Sequence, residues 1–187
     1  MSNEKRDLEE EYFRKQDQEL IAKMRKAAAT DEARRGLGVQ SGIHDPALLR
    51  EIEQLGFTAD TVSLLPLVPI LQVAWAEGGV SPEERKLILD VARARGIAAG
   101  SAADHQLAEW LADRPPQDVF ARAGRLISAM LQVHSGESGA LTADELVKYC
   151  ETVATASGGI LGIHKVSRDE RAAIQQIQAA LKGRPKQ

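Results

Sequence analysis

Val73-Ala74-Trp75-Ala76-Glu77-Gly78-Gly79-Val80-Ser81-Pro82-Glu83-Glu84-Arg85 is the stretch whose reading decides the fold of this chain. An apolar segment stops at paired glycines, and a new helix opens behind a hydroxyl residue. The Ser81 hydroxyl can accept from the amide three residues on, while the Glu84 carboxylate reaches back to the Ser81 amide, which is a capping box. Pro82 sits at the first helical position, where its missing N–H costs nothing. Helix, glycine stop and capped helix together make an αα-hairpin. The pattern returns as Val153-Ala154-Thr155-Ala156-Ser157-Gly158-Gly159 at an offset of 80, then as Val166 to Arg171 at an offset of 86. Nine of the thirteen paired positions are identical, and the six-residue difference is an insertion, Ile160 to Lys165. Two such hairpins can pack about a pseudo-twofold axis, as internal repeats do. The expected fold is therefore all-α: a compact helical bundle built from two repeated αα-hairpins, preceded by a long N-terminal charged helix.

Outward from the hairpins, the remaining segments also read as helical. Asp45-Pro46 opens a helix that runs to Gly56, and a second covers roughly Leu65 to Ala76. A third is expected from Pro82 to about Arg95, with further helices over Ala102 to Ala112, Gln117 to His134, Ala143 to Ala156 and Arg168 to Leu181. Leu141-Thr142-Ala143-Asp144-Glu145 opens its helix with a third capping box. No segment alternates like a strand between turn signals.

The first 36 residues differ from the rest, with nine basic and nine acidic residues and no Gly or Pro before Gly36. Leu8, Tyr12, Leu20 and Met24 form a thin apolar edge with a gap at Gln16, too narrow to make a core. Residues 1–36 are expected as a charged amphipathic helix, 37–43 as a glycine-rich linker (the stretch Gly36 to Gly42 holds three glycines), and 44–187 as the all-α domain.

Ala-Glu-Gly-Gly-Val-Ser-Pro-Glu-Glu, residues 76–84, resembles the Ala-Asp-Gly-x-Val-Ser-x-x-Glu hairpin of TerB-like tellurite-resistance domains. The second copy resembles that family's second hairpin, so the resemblance covers about Leu48 to Leu181. It implies a small helical-bundle domain in stress or metal-resistance systems, proposed to bind divalent cations through acidic residues. Glu77 stands where the family has Asp, and Ser157 holds the matching place in the second copy. The metal candidates are Glu77, Glu84 and Glu170, with Ca²⁺ or Mg²⁺ as the cation. Helix capping is the competing role for the same acids.

Composition and motif content exclude several classes. A net charge of −3 argues against a phosphate-tracking protein, and 4% aromatic content argues against stacking platforms, so no nucleic-acid partner is expected. A single cysteine, Cys150, rules out a disulfide framework and a Cys-rich zinc site, and it falls on an apolar helical face as a small buried hydrophobe. His44, His105, His134 and His164 are widely spaced and form no zinc pair. There is no EF-hand loop and no P-loop. Trp75 and Trp110 read as core anchors. The apolar run Leu64 to Ala76 has 13 residues, short of the roughly 20 that span a bilayer, and no N-terminal targeting segment is visible. A cytoplasmic protein without a transmembrane segment is expected, with peripheral membrane association only through a partner.

Tyr12, Phe13 and Arg14, with Leu20 and Met24, are the candidate partner-binding residues, and packing of Tyr12 and Phe13 back on the domain is the competing role. The stretch Glu-Glu-Glu-Tyr-Phe-Arg and the residues after it resemble, over about eighteen positions, the inhibitory helix of mitochondrial ATPase inhibitors. Two functional expectations follow. The first is a non-enzymatic stress-response binding module of the TerB-like type, with no catalytic residues, no cofactor beyond a divalent cation, and cation binding at its turns. The alternative is an interaction or inhibitor protein whose N-terminal helix docks on a protein partner, the domain serving as anchor.

Overall fold

The computed structural model describes residues 2–136, 140–156 and 166–182, and the side chains from Arg14 onward except that of Asp17. Helix α1 spans Ser2–Ser41 and α2 spans Pro46–Gln54. A 3₁₀ turn, Val62–Leu67, leads into α3, Val68–Ala74. There follow α4 (Pro82–Ala94), α5 (Ala102–Ala112), α6 (Gln117–Val133), α7 (Ala143–Ala156) and α8 (Arg168–Lys182). Among the described residues there is no strand, and no helix is long and apolar enough to cross a membrane.

The short helix α3 is the hub. Val68, Pro69, Ile70, Leu71, Val73 and Ala74 are all buried, and α3 packs against α4, α6, α7 and α8. Gln72 is its one polar residue, half-buried, and the rest of α3 is apolar, as expected of a helix surrounded by others. The run from Leu65 to Ala76 is not one helix, however. Pro66 lacks an N–H and disfavours α geometry at Leu65, so the chain takes a 3₁₀ path to Leu67 before α3 begins.

The hairpins α3–α4 and α7–α8 are related as the sequence repeat implies. Helix α3 touches α7, its own counterpart, and α4 contacts α7 as α8 contacts α3. This reciprocal set of contacts is what a pseudo-twofold arrangement of the hairpins would give. Helix α6 fills the remaining side against α3 and α8. There Gly124 is required by close approach: a Cβ at this position would lie 2.7 Å from the Cβ of Ala180. The turn of the second hairpin, with Ser157, the insertion Ile160 to Lys165 and His164, lies outside the described residues.

The stretch expected as a linker continues α1 instead. Gly36 and Gly38 are helical, Leu37 is 1% exposed, and Ser41 is fully buried. Smallness, rather than flexibility, is what Gly38 supplies: a Cβ there would meet the Ile43 carbonyl at 3.1 Å and the Leu49 side chain at 3.6 Å. The helix ends where Gly42 takes a φ of 71°, the left-handed stop that glycine adopts without strain. Ser41 Oγ donates to the Leu37 carbonyl at 2.7 Å and accepts from the Ile43 amide at 3.2 Å, which turns the chain into α2.

Candidate functional site

Three capping boxes place the acids that the sequence singled out. The Ser81 amide donates to Glu84 Oε2 at 2.7 Å and the Glu84 amide to Ser81 Oγ at 3.2 Å. In the second hairpin the Ser167 amide donates to Glu170 Oε2 at 2.7 Å and the Glu170 amide to Ser167 Oγ at 3.1 Å. Thr142 and Glu145 repeat the pattern at 2.8 and 3.2 Å. Identical chemistry gives opposite electrostatics. Burial pushes the Glu84 carboxyl above the usual glutamate range, and the nearby charges of Glu170 and Glu77 push the same way. Glu145 is exposed, and the hydrogen bonds from Thr142 hold its carboxyl below that range. Desolvation decides the sign.

Of the three metal candidates, Glu84 and Glu170 are buried, whereas Glu77 is exposed on the turn. All three lie close enough for Glu77 and Glu170 to oppose the ionisation of Glu84. Among the described residues, no three carboxylates, imidazoles or thiols converge tightly enough to hold a metal ion.

Helix α1 presents a different kind of site. Every described side chain from Arg14 to Ala33 is exposed, with Leu20 at 57%, Ile21 at 48% and Met24 at 64%. Tyr12 and Phe13 lie on the same helix, but their side chains fall outside the described residues. Among the described side chains, the first hydrogen bond from α1 to the bundle is made by Arg34, whose guanidinium grips Glu53 of α2 through Nε at 3.1 Å and Nη2 at 3.0 Å. Residues 34–41 then pack on α2 and the 3₁₀ turn. The part of α1 before Arg34, residues 2–33, is roughly 48 Å of helix at about 1.5 Å per residue.

Sequence reasoning missed two features. Glu51, buried on α2, is bridged by Arg122 at 2.9 Å and also pairs with Arg125, tying α2 to α6. Beside this cluster runs a groove of about 750 Å³ between α2, α3, α6 and α8, lined by Leu48, Gln72, Gln117, Phe120, Arg125, Ser128 and Gln176 among others. The one sequence signal was Gly124 in mid-helix, which marks the close α6–α8 approach at its floor.

The other singled-out side chains have structural roles. The Cys150 thiol is fully buried and pushed up to about 12 by that burial, so it carries no thiolate for nucleophilic work. Trp75 is buried and donates from Nε1 to the Trp110 carbonyl at 2.9 Å, and Trp110 meets Phe57 edge-to-face at 5.7 Å. His134 caps the C-terminus of α6, with Nε2 3.3 Å from the Ser41 carbonyl. No family model, curated protein or solved structure matches this chain.

Proposed function

We propose that this chain is a non-enzymatic interaction protein, a helical bundle that displays the outer segment of α1 to a protein partner. The observation that carries this reading is the exposure of every described side chain from Arg14 to Ala33 on a helix anchored firmly at its other end. Exposed Leu20, Ile21 and Met24 supply the apolar anchors that helix-in-groove docking uses. Arg14 stands one turn and a half N-terminal to them, beside Tyr12 and Phe13. A stress-response role of the tellurite-resistance type, in the cytoplasm, is the setting that the TerB-like resemblance of residues 76–84 proposes.

Divalent-cation binding is retained as a second reading, because Glu84 and Glu170 are buried near one another with Glu77 at the rim.

Affinity capture from the native cell separates the two readings. The full chain should retain a protein that Leu20→Asp with Met24→Asp loses, at an unchanged unfolding temperature. Equal capture by both proteins would remove α1 from the function. Calorimetry with Ca²⁺ and Mg²⁺ on the full chain and on Glu84→Gln tests the cation, and absence of heat in both would leave the acids as caps alone.

A further inference from the structure

Charge on α1 is laid out in two blocks. Residues 4–19 hold seven acidic and four basic side chains, whereas residues 20–35 hold two acidic and five basic. A helix dipole favours acids in the first turn and bases in the last, and its effect fades beyond those turns. It does not account for blocks of 16 residues each, and the last turn of α1 carries no basic residue at all. Where the blocks meet, the helix exposes Leu20, Ile21 and Met24.

We infer that α1 pairs with α1 of a second copy of this chain, antiparallel, with the acidic block of each against the basic block of the other. This names the partner of the docking helix proposed above and rests on that reading. Leu20 and Met24 are four residues apart and share one face. An antiparallel pair centred on Ala22 sets Leu20 of one copy opposite Met24 of the other, and the twofold symmetry repeats the contact. Glu19 then falls beside Arg25 and Lys26 of the facing helix. Parallel pairing would lay acid on acid and base on base. The antiparallel arrangement also leaves room for both bundles, because each α1 is anchored at Arg34 and the two bundles lie at opposite ends of the overlap. With few apolar residues in the seam, orientation comes mainly from charge, and the pairing weakens as salt screens it.

Sedimentation equilibrium of the full-length chain at low salt tests this. The mean mass should rise with concentration from 20.3 kDa towards twice that value, and fall back as salt is added. Asp17→Lys, Gln18→Lys and Glu19→Lys together should leave a monomer, as should Lys23→Glu, Arg25→Glu and Lys26→Glu together, because residues 17–19 of one helix face 25–27 of the other. An equimolar mixture of the two triple variants should regain the double mass. All these positions lie on the outer segment of α1, and thermal unfolding checks that the bundle is intact. A double mass that survives both triple variants overturns the inference by placing the interface elsewhere. A wild-type chain that stays monomeric while its α1 still captures a cellular protein overturns self-pairing and leaves the docking reading standing. A monomer that captures nothing overturns both.

Discussion

Residues 14–33 and residues 34–41 belong to one unbroken helix and meet opposite environments. Leu20 is 57% exposed and Leu37 is 1% exposed, although both are leucines of α1. In the outer segment, charged and alanine residues sustain the helix by propensity alone. In the inner segment Gly36 and Gly38 weaken propensity, and contact with α2 compensates. The difference teaches that the ability to be helical and the ability to dock are written by different residues. Helix formers set the length of α1, while small residues and Leu37 set where it touches the bundle.

The sharpest way to break this comparison is to treat the two leucines alike. Leu37→Ala should cost about 2–5 kcal/mol, the range for emptying a core site, whereas Leu20→Ala should stay within about 0.5 kcal/mol. Equal losses in chemical denaturation would mean that the outer helix is packed. Next in size is the α6–α8 contact. Gly124→Leu forces side-chain bulk against Ala180 and should cost about 1–3 kcal/mol, with a lowered unfolding midpoint.

The capping boxes sharpen the same contrast between buried and exposed settings. Ser81→Ala and Ser167→Ala should each cost about 1 kcal/mol, and urea unfolding of the two variants should give matching losses if the hairpins are true repeats. The pH response should separate Glu84 from Glu145. Because burial raises the folded pKa of Glu84, its proton is held more tightly in the folded state. Its contribution is fully present below the ordinary value of 4.5 and is lost as pH rises through the folded pKa. Glu145 is depressed, so its contribution is present above 4.5 and is lost as pH falls. Glu84→Gln should therefore remove a component of stability that declines with rising pH, and Glu145→Gln one that increases. Urea midpoints followed from pH ~3 to ~7 would show the two slopes, and slopes of the same sign would contradict the burial assigned to Glu84.

Much of the fold was legible because its signals are local. Ser81, Thr142 and Ser167 each start a helix where a hydroxyl is followed three residues later by Glu, and the hairpin repeat announced its own symmetry. The stretch Gly36 to Gly42 misled for a physical reason. Glycine marks both flexible chain and close approach, and only the positions of Ile43 and Leu49 distinguish the two. Pro66 was visible, but its effect, a 3₁₀ turn ahead of α3, depends on how Leu64, Leu65 and Leu67 are buried. At the candidate sites, sequence placed Glu84 and Glu170 in equivalent positions without revealing that both are buried. The Glu51–Arg122–Arg125 cluster joins residues about seventy positions apart, and no local pattern encodes such a pairing.

The most direct measurement is the thermal unfolding of a chain that begins at Arg34, compared with the full chain at a dilution where self-association is negligible. If the outer helix is a display surface, the midpoint of the bundle should move by less than about 2 °C, since 1 kcal/mol shifts a domain of this size by roughly 2–4 °C. A fall of more than about 5 °C, or loss of the cooperative transition, would show that residues 1–33 belong to the core and would contradict the account.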